Sequence, residues 1–235
     1  MNENLVDFLM LTNLGPNTFY KGSFANNELG SNKINIQNLK KSHCFGFICN
    51  TLSRHQTHMV GHWYGISVRV NTGIKNITVK YIDSYNIPYA VYGTNIDRYI
   101  GRLRLLALEN NFKFHFEETP FRLQGLKSAT CGIYCIYGLT RLGKCTTITL
   151  KSIFSKFYGN TYEINDSIMV DYAIKIWPRT FCSDIFTTST KGIYFCPKKI
   201  FKSHKCLTKC RCGKKCCAKP QNKQYISSHV KQILI

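Results

Sequence analysis

An α+β or α/β body spanning residues 1–187 is predicted by three features of the sequence. Two β-branched segments flank a turn at Asn71-Thr-Gly73. One stretch, Asn95–Asn110, keeps apolar residues at helical spacing. Strand-like and helix-like segments alternate three times before periodicity fades beyond Thr187.

Each element has a local reason. Asn2–Leu14 reads as an amphipathic helix with Leu5, Phe8, Leu9 and Leu11 on one stripe, ended by Gly15-Pro16. Asn17–Ser42 is polar and Asn-rich, which predicts a loop-dominated stretch. Cys44–Cys49 is a compact apolar run, the length of a buried strand. His62–Val70 and Asn76–Asp83 read as strands of one hairpin. In Asn95–Asn110, Ile96, Tyr99, Ile100, Leu103, Leu106 and Ala107 form the stripe, and Arg98, Arg102 and Arg104 lie mostly off it. Phe112–Phe116 alternates as a strand. Thr130–Leu142 reads as a buried helix stopped by Gly143, and Ile168–Trp177 as a short helix ended by Pro178.

Composition limits the function. The chain has 235 residues, 44% of them hydrophobic, which excludes wholesale disorder. No apolar run is long enough for a membrane span, and Met1–Asp7 lacks the pattern of a secretory signal. Net charge is +20, but 12 of the 32 Lys and Arg residues and no acid lie from Lys191 onward. Residues 1–190 therefore carry +8. Six of the twelve cysteines fall between Cys196 and Cys217. A mildly basic body and a basic, Cys-rich tail (residues 188–235) are expected, with a polyanion such as DNA as partner. The bland reading is a tail that only solubilises. In a reducing interior the cysteines stay free thiols.

The chemistry concentrates in Gln124-Gly-Leu-Lys-Ser-Ala-Thr-Cys131-Gly-Ile-Tyr-Cys135. Cys131 follows a small, polar turn and opens an apolar helix. Unpaired N–H groups at a helix start favour a thiolate and can bind an oxyanion. Gly132 leaves the approach open, and Gln124 offers one more donor. A cysteine nucleophile needs a base and an orienting acceptor. His62 starts one strand of the hairpin and Asp83 ends the other, so the two meet at one sheet edge. Taken singly, each residue is more often structural: a core Cys, a strand His, a turn Asp.

Together these residues resemble the adenovirus-type (adenain-like) cysteine endopeptidases, which mature viral capsids. The resemblance covers roughly residues 1–180. It rests on QGLKSATCGIYC, on His62-Trp63, on Cys49-Asn50-Thr51, on Tyr81-Ile-Asp83-Ser, and on the opening helix with Leu14-Gly15 and Phe19. It implies a papain-like α+β architecture, with a central mixed sheet flanked by helices and the catalytic Cys at a helix N-terminus. It implies Cys131 as nucleophile, His62 as its base, Asp83 as the orienting group, and Gln124 with the Cys131 N–H as oxyanion hole. It also implies capsid and core precursors cut at Gly-containing sites, DNA and a viral peptide as activators, a monomer, and a place in the host nucleus and the virion. Arg98, Arg102 and Arg104 are the candidate DNA contacts.

There are departures. Asp83 stands where that family usually has Glu and the related SUMO-peptidase-like proteases have Asp. Lys113 stands where the adenovirus enzyme has the Cys that links its activating peptide by a disulfide, which puts that mode of activation in doubt. A peptidase for a ubiquitin-like modifier is the nearest rival, and a non-enzymatic DNA-packaging protein is the rival from another class.

Metal readings are weaker. Cys44, Cys49, His55 and His58 are spaced too tightly for a usual zinc finger. The tail cysteines Cys196, Cys206, Cys210, Cys212, Cys216 and Cys217 show only CxC and CC patterns. Zinc binding, a basic DNA arm and late disulfides all remain open there. Cys135 reads as core.

Overall fold

The computed structural model describes residues 3–14, 19–29, 43–56, 61–126, 128–143 and 147–176. The predicted tail lies outside them. Along the chain run α1 (Glu3–Leu14), β1 (Tyr20–Ala25), β2 (His43–Asn50), β3 (Trp63–Asn71), β4 (Asn76–Ile82), α2 (Thr94–Glu109), β5 (Lys113–Glu118), α3 (Cys131–Leu142), α4 (Leu150–Ile153) and α5 (Tyr162–Ile176). The fold is α+β around one mixed five-stranded sheet of order β1-β2-β3-β4-β5. The central pairs β2–β3 and β3–β4 are antiparallel, and the outer pairs β1–β2 and β4–β5 are parallel. A parallel neighbour requires a crossover, and α2 supplies it between β4 and β5.

Period-two side chains send two apolar sets to opposite faces of the sheet. Phe45, Phe47, Tyr64, Ile66, Val68 and Val79 meet the stripe of α2, which is buried at Ile96, Tyr99, Ile100, Leu103 and Ala107. On the other face Ile48, Trp63 and Ile82 meet α1, α3 and α5. The sheet is small where α3 crosses it. A Cβ on Gly65 would lie 3.5 Å from Leu139, and one on Gly46 would lie 3.0 Å from it. Gly138 on α3 is the reciprocal case, 2.7 Å from Ile82 Cδ1. These contacts bring the helix close enough for its first residue to reach the strand ends.

Three expectations are corrected. The stretch 17–42 is not loop throughout: Tyr20–Ala25 pairs in parallel with β2. It lacks alternation because it is an edge strand with a register shift between Tyr20 and Ser23, and Gly22 within that shift has φ +107°. The last helix begins at Tyr162 rather than Ile168, and Thr161 Oγ1 accepts the Ile164 N–H at its start. Its predicted end at Trp177-Pro178 lies outside the described residues. The stripe of α1 also turns: Leu5, Val6, Leu9 and Met10 are buried, whereas Phe8 and Leu11 are half-buried, because α1 packs on both β1 and α3.

Candidate active site

The hairpin register places the site. Gly65 faces Ile82, so the residues just beyond, His62 and Asp83, leave the sheet at the same end. His62 Nε2 lies 3.1 Å from Asp83 Oδ1. The His62 backbone is held twice by Thr51: its N–H donates to Thr51 Oγ1 at 2.9 Å, and its carbonyl accepts the Thr51 N–H at 2.8 Å. Gly61 precedes it because the Asn50 side chain turns underneath, 2.0 Å from where a Cβ would stand.

Asp83 is fully buried and satisfied. Besides His62, its Oδ1 accepts the Tyr85 N–H at 2.6 Å, and its Oδ2 accepts the Tyr81 hydroxyl at 3.0 Å. The His62 ring lies between Tyr85 and Tyr92, with centroids 4.6 Å and 5.6 Å away and planes tilted by 26° and 30°. Two aromatic faces on an imidazole restrict its rotation and favour its cation.

Cys131 is the first residue of α3 and 7% exposed. Burial is the largest influence on its thiol and pushes it up. The hydrogen bond to His62, the His62 charge and a backbone contact at Trp63 outweigh burial, and the thiol lies below its ordinary value of 9.0. For His62, burial is again the largest influence and opposes the cation. The hydrogen bonds to Asp83 and Cys131, with their charges, overcome it and raise the ring from 6.5 to about 9. Both directions favour a thiolate–imidazolium pair. Cys135, one turn on, is different: burial holds it neutral, and its Sγ contacts the Trp63 carbonyl at 3.3 Å.

The segment before Cys131 is pinned from both ends. Gln124 is fully buried; its Oε1 accepts from Ser84 Oγ at 2.5 Å and its Nε2 donates to the Ser128 carbonyl at 2.6 Å. Ser84 follows Asp83 directly, and its carbonyl accepts the Leu123 and Gln124 N–H groups. Asp166 on α5 accepts the Gly125 N–H at 3.1 Å, the Thr130 hydroxyl at 2.7 Å and the Tyr134 hydroxyl at 3.3 Å.

The structure therefore brings His62, Asp83, Gln124 and Cys131 to one place. The supporting groups Tyr85, Tyr92 and Asp166 carry no role in the sequence reading. Thr51 ends the Cys49-Asn50-Thr51 motif and Tyr85 directly follows the Tyr81–Ser84 motif, but Tyr92 and Asp166 reach the site only through the fold. Arg98, Arg102 and Arg104 lie exposed on α2, against the opposite face of the sheet from α3. Arg104 contacts the Tyr89 hydroxyl and the Phe114 ring. Three members of the tight zinc quartet lie among the described residues. Cys44 is disulfide-bonded, Cys49 is buried with its thiol pushed up, and His58 lies outside the described residues. The disulfide at Cys44 also corrects the expectation of free thiols throughout, while Cys49, Cys131 and Cys135 are free. Among the described residues no group of three or more His, Cys, Asp or Glu is placed to hold a metal. Lys113 opens the edge strand β5 with an exposed side chain.

The site is thus a thiol, an imidazole and a carboxylate in series, with the Gln124 amide anchored between Ser84 and Ser128. No protein-family model and no curated protein matches the sequence. Several solved structures are similar to the chain. The ASFV pS273R protease has 12% identity over 72% of this chain and 65% of its own, with a TM-score of 0.47. Its selenomethionine form has 14% identity over 57% and 43%, with a TM-score of 0.37. A de-sumoylating protease has 10% identity over 77% and 76%, with a TM-score of 0.41. The chain thus spans less than two thirds of the first two.

Proposed function

We propose that the chain is a cysteine endopeptidase. The observation that carries this reading is the series Cys131–His62–Asp83, whose partners shift both the thiol and the imidazole toward the ion pair. The Cys131 thiolate attacks the scissile carbonyl and forms a C–S bond. The oxyanion is met by the Cys131 N–H and by Gln124, whose amide carries a second N–H besides the one on Ser128. The His62 imidazolium gives its proton to the leaving amine as the C–N bond breaks. Neutral His62 then takes a proton from water, which hydrolyses the thioester and releases the thiolate.

The sequence resemblance supports a finer version: maturation of viral capsid and core precursors at Gly-containing sites, in the host nucleus and virion, with DNA and a viral peptide as activators. Arg98 and Arg102 form no ion pair among the described residues and face outward, which suits a DNA contact. No described helix is long and apolar enough to cross a membrane. Asp rather than Glu at position 83 favours a second reading, cleavage of a ubiquitin-like modifier. Capsid-precursor peptides and ubiquitin-like fusions, offered side by side, separate the two. The central test is wild type beside Cys131→Ala on a Gly-Gly peptide with DNA present. A loss of at least about 10³-fold is expected. Equal cleavage by both proteins means that the mechanism is wrong. A Cys131 inert to alkylation at neutral pH favours the DNA-packaging alternative.

A further inference from the structure

One concave surface lies beside the site. A groove of about 410 Å³ opens between the 121–122 turn and residues 157–163. Its size falls within the range of ligand sites, about 300–1,000 Å³. Phe157 is buried against it, Tyr158 is 77% exposed on its wall, and Phe121 meets Tyr158 edge-on at 5.5 Å. Tyr162 forms the far wall under the Arg122 guanidinium, 4.5 Å from its ring centroid.

Arg122 joins this groove to the chemistry. Its Nε donates to the Gln124 carbonyl at 2.9 Å, and its guanidinium lies 5.7 Å from the Tyr85 ring that stacks on His62. No ion pair involves Arg122 among the described residues. Its terminal N–H donors match a carboxylate in a two-point bond. Glu163 also lines the groove and is exposed. Arg122, tied to Gln124 and to the Tyr85 ring, directs an acid toward the catalytic residues, and the rings of Phe121, Phe157 and Tyr158 offer the apolar surface.

We propose that this groove is a substrate subsite for a polypeptide that carries an acidic residue near the cut and a large apolar residue farther from it. The carboxylate binds Arg122, and the apolar side chain lies among Phe121, Phe157 and Tyr158. The inference rests on the peptidase reading above.

The test is a Gly-Gly-centred peptide library cut by the full-length wild type, by Tyr158→Ser and by Arg122→Gln. Cys131 alkylation by iodoacetamide and far-UV circular dichroism are measured on all three. Wild type is expected to select an acid nearer the cut and an aromatic or branched aliphatic residue beyond it. Tyr158→Ser should reduce the apolar preference about fivefold to tenfold with the acidic preference intact, and Arg122→Gln should abolish the acidic preference. A wild type that cuts the library without either preference overturns the subsite alone. So does a Tyr158→Ser protein with the wild-type preference. A wild type that cuts nothing and whose Cys131 resists alkylation overturns the peptidase reading and the subsite with it.

Discussion

Replacing Asp83 with Asn separates its charge from its hydrogen bonds. Oδ1 accepts from both His62 and the Tyr85 N–H, whereas Oδ2 accepts the Tyr81 hydroxyl, which can turn to accept. An asparagine therefore settles with its carbonyl at the Oδ1 position, because the reverse flip sets N–H against N–H. His62 stays oriented and loses only the facing charge. Two unit charges about 4 Å apart interact by about 4 kcal/mol at an effective dielectric constant of about 20. The rise of His62 from 6.5 to about 9 corresponds to about 3.4 kcal/mol. His62 keeps its support from Cys131 but loses the Asp83 charge, so its titration in Asp83→Asn should fall below the value of about 9. NMR of the His62 ring, assigned with His62→Gln, reads it directly. In peptide hydrolysis the alkaline limb should move in by the same amount while the acid limb, set by Cys131, stays. Asp83→Ala should lose activity at every pH, since it also frees the ring and leaves the Tyr85 N–H and Tyr81 hydroxyl unpaired. A His62 titration near 9 in Asp83→Asn, or identical profiles for the two variants, would refute this account.

Three further outcomes are expected. The imidazolium gains by folding, so its contribution to stability is complete below about pH 6.5 and is lost as pH rises through about 9; the melting temperature of wild type should fall across that window, and that of His62→Gln should fall less. Asp166→Ala should cost about 1–3 kcal/mol in urea unfolding by stranding the Gly125 N–H, whereas Asp166→Asn, accepting that N–H and donating to Thr130, should cost less than half as much and keep Cys131 reactive. Gly138→Ala puts a methyl 2.7 Å from Ile82 Cδ1 and 3.2 Å from Phe154, and should cost about 1–3 kcal/mol and slow Cys131 alkylation; Gly101→Ala, with open space at its Cβ on α2, should gain about 0.5–1 kcal/mol.

Much of this architecture was legible in the chain because the deciding signals are local. The hairpin at 62–83, the stripe of α2 and the helix that opens at Cys131 each follow from spacing within a few residues. His62, Asp83, Gln124 and Cys131 are expected from residue type, order and the family resemblance together, and the hairpin register places the first two at one sheet end. What was missed depends on distant partners. The strand character of Tyr20–Ala25 comes from pairing with β2 and from α1, not from its own pattern. Asp166 reads as a polar residue on an ordinary helix until α5 is laid against the segment 124–131. Tyr92 gives no sign of its place, because stacking on His62 depends on the path of the chain between β4 and α2.

The hairpin turn at residues 72–75 lies at the opposite end of β3 and β4 from His62 and Asp83. The 21-position offset of that pair in the chain is thus unrelated to their 3.1 Å separation in space. Lengthening both strands by matched steps, or enlarging the turn, moves only the distal tip and keeps every side chain on its face. The tip is therefore a permissive point for insertion: a label, an affinity peptide or a small domain spliced between Thr72 and Lys75 leaves the catalytic end of the sheet in register. A single residue inserted within either strand would instead turn half of that strand inside out.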